Sequence, residues 1–427
     1  MTEVLRIDRT TAPVAAGWRA ALTWGLGAAL VHRVLLTVWM AAIWALVSSS
    51  GGVPPSQMDF HNTADLPTLS PLESQLFGFW RRWDAVHYLD LALNGYRIDN
   101  LGATVFSPLA SWAFRAADLA LPSGIDLAAG VVQTLAFGVA LTLLQRFVTT
   151  YYNDAELARW TVGVCVLLPL SFYFAAPISE SLYLALTMAT LYAASRIDGV
   201  NRWVGWLAAL CGIFASLARS QGALLAGVAA LLVFERVWDG RWTRASLIAA
   251  ARTAFGRGWM LALIPLGAVA FQVYRATLGL PSMDFIYTNY SYAAIVDPFT
   301  GLIGSLRYLV AAFPAWWSNV DVWAMILSLI GIGIALRLPR HRRAPLIAYN
   351  VVFWLFFFTK LNYQWGTTDP YFAQSFGRYT LVLFPLTALI ADGLRSGGFW
   401  VRIGGVAVLL LALAGLAALF PLALVGP

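Results

Sequence analysis

Apolar runs of about 17 residues or more, each long enough to carry a helix across a bilayer, recur along nearly the whole chain. No other feature restricts the fold as strongly. Inside hydrocarbon the chain must satisfy its own backbone N–H and C=O groups, so a spanning segment is either a helix or a strand of a closed barrel. A barrel would show alternating segments of about ten residues, and these are absent. A mean hydropathy of +0.70 with 11% charged residues fits a polytopic helical membrane protein. Nineteen Trp and sixteen Tyr suit aromatic belts at the two interfaces.

The first span is read at 18–48; it includes His32 and Arg33, expected to turn toward other helices. Residues 49–79 are a polar loop with Pro54-Pro55, Asp59, His61, Asp65, Pro67 and Pro71. An amphipathic helix follows within 80–96, stopping at Asn94-Gly95. Residues 105–121 read as an interfacial or re-entrant helix, because Arg115, Asp118 and the following Pro122-Ser123-Gly124 oppose a crossing. Further spans are expected at 126–148, 159–176, 178–195, 203–219, 222–236, 259–278, 320–337, 345–361, 377–394 and 400–421. With the first, that makes eleven. The expectation is one all-α integral-membrane domain over 1–427, with 49–122 as an outer loop holding juxtamembrane helices. No repeat is visible, so an inverted-repeat transporter gains no support. The first span is too long for the apolar core of a cleavable signal. Cys165 and Cys211 lie in apolar runs and read as packing residues.

Orientation follows from the arginines. With the N-terminus in the cytoplasm and strict alternation, that side receives Arg6, Arg9, Arg19, Arg146, Arg159, Arg196, Arg202, Arg236, Arg241, Arg244, Arg252, Arg257, Arg337, Arg340, Arg342, Arg343, Arg395 and Arg402. These are eighteen of the 28 basic residues, as the positive-inside rule requires. The net charge of +7 is thus explained by topology, and nucleic acid is not an expected partner. The same assignment sends the unusual polar motifs to the outer face. They are Trp83-Asp84…His87, Phe106-Ser107-Pro108, Ser179-Glu180-Ser181, Arg219-Ser220-Gln221-Gly222, the 279–319 loop and the run from Lys360 to Tyr379.

Each motif carries a functional and a plainer reading. Wound as a helix, 80–96 puts Asp84, His87, Asp90 and Asn94 on one side with Trp80, Trp83 and Leu91. Ala85, Val86, Leu89, Ala92 and Leu93 form the other, which can lie on a membrane or on helices. A carboxylate and an imidazole one turn apart suit a general base with an orienting partner, or a metal pair, or simply an acid and a His facing water. Asp90 reads as a helper or a solvated acid. Ser179 with Glu180 suits an N-cap with an acidic first turn, yet an ionisable Glu at a membrane boundary is costly without a partner. Arg219, Arg378, Lys360 and Arg82 would snorkel to the interface or face phosphate, which Arg does bidentately. His341 belongs to the opposite, basic side. There is no nucleotide-binding glycine loop, no Asp-x-Asp, no His/Cys cluster for zinc and no Gly-x-Ser-x-Gly. With no nucleotide site and an outer-face site, an activated lipid is the expected energy source, and neither cofactor nor metal is expected. A flippase or transporter of lipid-linked sugars is the alternative; it would need polar groups along a path through the bilayer.

The run Trp83-Asp84-Ala85-Val86-His87-Tyr88…Leu91-Ala92…Gly95-Tyr96 resembles the signature of the GPI mannosyltransferase 2 family. Phe106-Ser107-Pro108-Leu109, Ser179-Glu180-Ser181-Leu182, Ala218-Arg219-Ser220-Gln221-Gly222 and Arg378-Tyr379…Phe384-Pro385 resemble its later motifs, in order, so the resemblance runs from about 20 to 395. It implies a GT-C glycosyltransferase fold, a polyprenyl (dolichyl-type) phosphate mannose donor and an inverting transfer to a lipid or glycan acceptor. Asp84 is carried over as the base with His87 beside it. Arg82, Trp83, Glu180, Arg219, Gln221, Lys360, Arg378 and Tyr379 are the candidate donor-phosphate and substrate residues. The Arg-for-Lys usage suggests a bacterial source, hence a plasma-membrane protein with an extracytoplasmic site and a different acceptor.

Overall fold

The computed structural model describes residues 14–49, 66–121, 124–290, 293–363 and 369–422. Asp59, His61 and Asp65 of the polar loop lie outside them, as do 364–368 of the Lys360–Tyr379 run. In chain order the elements are α1 (Val14–Ser49), α2 (Pro71–Phe77), α3 (Asp84–Asn94), α4 (Pro108–Ala120), α5 (Ile125–Tyr152), α6 (Ala155–Leu167), α7 (Glu180–Ala194), α8 (Arg202–Ala218), α9 (Leu225–Val237), α10 (Arg244–Gly258), α11 (Leu266–Thr277) and α12 (Met283–Tyr290). They continue with β1 (Ala293–Ile295), α13 (Pro298–Ala311), α14 (Val320–Arg337), α15 (Ala344–Phe356), β2 (Lys360–Tyr363), β3 (Pro370–Tyr371), α16 (Phe376–Thr380), α17 (Phe384–Ser396) and α18 (Phe399–Leu419).

Each of the eleven expected spans contains helix, but the structure does not bear out eleven crossings. Among the described residues, six helical segments are long and apolar enough to cross a membrane: Gly17–Val47, Ile125–Tyr152, Ser220–Val237, Arg244–Thr277, Val320–Arg337 and Phe399–Leu419. The other five are shorter. The 159–176 stretch stops at Leu167 ahead of Pro169, which lacks the N–H an α-helix needs. The 377–394 stretch is two helices, α16 and α17, the second with a proline in its first turn. The 345–361 stretch ends at Phe356, and Lys360 opens a strand. That strand corrects the all-α expectation: β1, β2 and β3 form a small antiparallel sheet, with Ile295 opposite Lys360 and Asn362 opposite Tyr371. Short polar and aromatic stretches outside the spans found ladder partners there, where helix ends had left backbone groups open.

The bundle is built around α7, of whose 15 residues 12 are buried. It packs against α5, α8 and α9, while α1 lies along α5 and α17 along α6. α18 leans on α1 and α6 and leaves most of its apolar surface outward, as a helix facing lipid would. The stretch 105–121 holds a single 13-residue helix, α4, about 20 Å long and short of a span. His32 and Arg33 do turn inward: His32 Nε2 is 3.1 Å from Ser171 Oγ, and Arg33 donates to Thr134 Oγ1 at 3.1 Å.

Charged groups collect at both ends. At the end holding the N-terminus of α6, Asp154 caps that helix by accepting from the Leu157 N–H, and its other oxygen sits 2.7 Å from both Arg340 and Arg395. Asp392 meets Arg395 and His341, and Glu235 meets Arg343 at 2.8 Å. These pairs tie the loops of α5–α6, α14–α15 and α17 together.

Candidate active site

The turn before α3 is pinned before the helix begins. Arg81 holds Asp126 with both ends of its guanidinium, at 2.9 and 2.6 Å, and donates its third group to the Pro67 carbonyl. Trp83 is then forced to φ +52°, a region that costs a bulky residue about 1–3 kcal/mol and that turns the chain so that Asp84 opens α3. The expected 80–96 helix therefore starts only at Asp84. It is buried on both sides, among α4 and α5, rather than lying on a surface. Its Asp90 is neither solvated nor catalytic in placement: it is buried and accepts from Asn94 and Asn100 at 2.7 and 2.8 Å, clamping the following loop.

Four groups from distant parts of the chain form one ion-paired row. Arg378 Nη1 is 2.6 Å from Asp84 Oδ2, and Arg378 Nε is 2.9 Å from Glu180 Oε1. The same Glu180 oxygen takes Arg219 Nη1 at 2.5 Å. Glu180 is 1% exposed and Arg378 5%. Glu180 is therefore not a surface acid, and Arg378 does not snorkel. Ser179 does not cap α7 with its side chain, which instead accepts from Tyr88 Oη at 2.9 Å. This leaves Glu180 to hold two guanidiniums side by side, which without a shared carboxylate would repel. Arg219 stands at the C-terminal end of α8, and the motif turns back there because Gly222 lies against the Ala215–Ser216 backbone, where a Cβ would collide.

Arg378 itself is placed by Asp321, whose two oxygens accept the backbone N–H groups of Ser375 and Gly377 at 2.9 and 2.7 Å. Ser375 sits at φ +69° to open that small oxyanion-like nest. Asp321 was not among the sequence candidates; an acid in the first turn of an apolar span was the available signal. Tyr379 lies between the two guanidiniums, 4.6 Å from Arg219 and 5.2 Å from Arg378 to the ring centre. Lys360 extends over Tyr287, 4.5 Å from its ring centre. Among the described residues no carboxylate pairs with it.

These groups line a cavity of about 1300 Å³, to which Trp83, Asp84, His87, Arg219, Gln221, Lys360, Arg378 and Tyr379 all contribute. His87 stacks on Phe106 at 5.1 Å. Glu180 stands behind the lining. Arg82 departs from the expectation: it is buried under Trp44 at 5.4 Å, donates to the Arg81 carbonyl and does not line the cavity.

Arg219 and Arg378 are ion-paired with Glu180 and Asp84, and Asp321 lies behind Arg378. Lys360 is the cation of this wall with no ion-pair partner among the described residues. Burial pushes the Asp84 carboxyl up, but the adjacent Arg378 outweighs it and holds it below its ordinary value. Burial pulls Lys360 down, and Tyr287, Tyr379 and Asp84 return it above the ordinary lysine value. Asp84 is thus ionised and Lys360 protonated at neutral pH. Among the described residues no group of three or more His, Cys, Asp or Glu gathers as a metal site.

No family model matches the chain, and no curated protein matches it. Among solved structures it is similar to the oligosaccharyltransferase of Archaeoglobus fulgidus. The form with zinc and sulfate is 13% identical with a TM-score of 0.41, over 91% of this chain and 52% of that one. The apo form is 11% identical with a TM-score of 0.43, over 94% and 56%. The form named AglB, with an inhibitory peptide and a dolichol-phosphate, is 12% identical with a TM-score of 0.40, over 92% and 54%. The chain spans about half the length of the structures it matches.

Proposed function

We propose that this protein is an inverting glycosyltransferase of the GT-C kind. It would move mannose from a polyprenyl (dolichyl-type) phosphate donor to a lipid or glycan acceptor on the extracytoplasmic side of a bacterial plasma membrane. The observation that carries the reading is the Asp84–Arg378–Glu180–Arg219 row behind and along the wall of one cavity, beside Lys360, which has no ion-pair partner among the described residues. A cation without an ion-pair partner among the described residues, in a space of that size, suits an anion, and a base at the same wall suits a hydroxyl acceptor. The order of the motifs along the chain supports the GPI mannosyltransferase 2-like assignment.

In the proposed step an acceptor hydroxyl oxygen attacks the anomeric carbon of the donor sugar from the face opposite the phosphate. Asp84 takes the hydroxyl proton. The carbon–oxygen bond to phosphate breaks, and the electron pair leaves with the lipid monophosphate, which gains one negative charge. Arg378, Arg219 and Lys360 stabilise that charge where it develops. Such a leaving group needs no more than these cations, and the step uses no metal. The donor phosphate also competes with Asp84 for Arg378, which loosens a 2.6 Å pair and makes Asp84 a stronger base once the donor is seated. His87, on Phe106, orients Asp84 or meets the donor; Trp83, Gln221 and Tyr379 contact the substrates, and Glu180 keeps the arginines in place.

The test is Asp84→Asn in purified protein with a polyprenyl phosphate mannose donor. Loss of about 10²–10⁴-fold in kcat is expected for removal of a general base; near-normal turnover would take Asp84 out of that role. Transfer of labelled mannose by detergent-solubilised protein, with no compartments to cross, separates an enzyme from a carrier of lipid-linked sugars.

A further inference from the structure

Helix α13 belongs to no span and carries one conspicuous face. Asp297 caps it, accepting from the Phe299 and Thr300 N–H groups at 3.0 and 3.1 Å. Phe299, Ile303, Leu306, Val310 and Phe313 beyond its end fall within an arc of about 80° at roughly 100° per residue. They are between 46% and 82% exposed. Trp316 and Trp317 stack at 5.3 Å just past the helix, with Trp323 at 5.5 Å from Trp317. Water is a poor neighbour for such a stripe. The one charged side chain on the helix is Arg307, exposed on the flank of the stripe beside Ile303, Leu306 and Val310. Among the described residues it has no ion-pair partner, so a surface bearing phosphates complements it.

The opposite edge of α13 is made of glycine. Gly301 rests on the Phe358 carbonyl and Gly304 on the Leu361 side chain; a methyl at either place would collide. The helix thereby lies directly on β2 and β3, with Tyr308 against Tyr371 at 4.8 Å. Lys360 is the first residue of β2. At Gly301 a change in the height of α13 meets backbone at once, and at Gly304 it has only the Leu361 side chain of β2 to absorb it.

We propose that α13 is an interfacial helix whose exposed stripe is covered by a lipid surface, and whose glycine edge sets the position of the strand carrying Lys360. The second half rests on the reading of Lys360 as a donor-phosphate residue; the first does not. The anchored lipid surface and the phosphate-binding ammonium then keep a constant separation, which suits a donor whose phosphate sits at the membrane boundary.

Two measurements test this on the full chain in liposomes containing phosphatidylglycerol. In a background lacking Cys165 and Cys211, spin labels are placed at Ile303→Cys and Val310→Cys, with Asp239→Cys as the aqueous reference. Both α13 labels should collide with oxygen in preference to a water-soluble nickel complex. Nickel access equal to that of the reference would overturn the lipid contact, whatever the enzymatic activity. Then Gly304→Ala, whose added methyl meets only the tip of Leu361, should raise the donor KM about tenfold with kcat little changed, and Gly304→Ala/Leu361→Ala should bring it back. A folded Gly304→Ala protein with unchanged donor KM, or a defect that the double variant does not relieve, would overturn the coupling. Wild-type protein that transfers no mannose would instead overturn the enzymatic reading and leave the label result standing.

Discussion

Both ends of the bundle gather arginines and carboxylates, yet they keep different accounts of charge. At the α6 end, Arg340, Arg343 and Arg395 face Asp154, Asp392, Glu235 and Glu156, and each guanidinium meets a carboxylate. At the other end Arg219 and Arg378 are ion-paired, while Lys360 has no ion-pair partner among the described residues and points over Tyr287 beside a cavity. The fully paired cluster ties loops to helix ends. The other leaves one ammonium facing a cavity. Ion pairs as such are therefore poor evidence of function; the remainder after pairing is informative.

The comparison breaks most visibly at the acids. Asp84→Asn should lose about 10²–10⁴-fold in kcat, whereas Asp154→Asn should leave turnover within about twofold, because its partners are remote from the cavity. A comparable loss in both would mean that the two clusters do one job. Next come the cations. Arg378→Gln and Arg219→Gln should each raise the donor KM by about tenfold or more, since each removes a charge-assisted contact to phosphate; unchanged donor KM would discard the phosphate assignment. In Arg378→Gln the acid limb of kcat/KM should also move to higher pH. The reason is that Asp84 is held low by Arg378 against burial, and with the guanidinium gone burial alone remains.

Stability should show the reverse pattern. Asp154→Asn should cost about 1–2 kcal/mol by denaturant or thermal unfolding, a modest figure because the pairs are partly exposed. Burial raises Asp154 and the hydrogen bonds from Arg340, Leu157 and Arg395 outweigh it, bringing it to about 2 from an ordinary 3.8. Its contribution is therefore full above about 3.8 and lost only as pH falls toward 2. The smallest effect belongs to His341. Burial lowers its pKa from the ordinary 6.5, although Asp392 opposes this. Below that pH the unfolded chain binds more protons than the folded one, so stability falls as pH drops. His341→Gln should flatten that slope by about 1 kcal/mol or less between pH 7.5 and 5. An identical slope in both proteins would remove His341 as its source.

Much of this was legible in the residues. Long apolar runs made a helical membrane protein the only economical reading, and alternation with the arginines grouped Asp84, Glu180, Arg219, Lys360 and Arg378 before any contact was known. Other features were not legible. Arg82 and Arg81 are adjacent and chemically alike; that Arg81 takes Asp126, and Arg82 is turned beneath Trp44, depends on a residue 45 positions away. Asp90 shares the helix face of Asp84 but is claimed by Asn94 and Asn100. Asp321 acts through the backbone of Ser375 and Gly377, which no local pattern announces. The β1–β2–β3 sheet joins strands too short for their own periodicity to show.

The sequence by itself determined what kind of solvent this chain lives in and which polar groups could meet at one end of it. The cost of bare backbone in hydrocarbon and the period of a helix are local matters that any stretch of residues declares. Which arginine meets which carboxylate, and whether a cation is left over, was decided only by the tertiary structure. Charge pairing depends on distances between segments up to 294 residues apart, as for Asp84 and Arg378, and those distances exist only once the helices have packed.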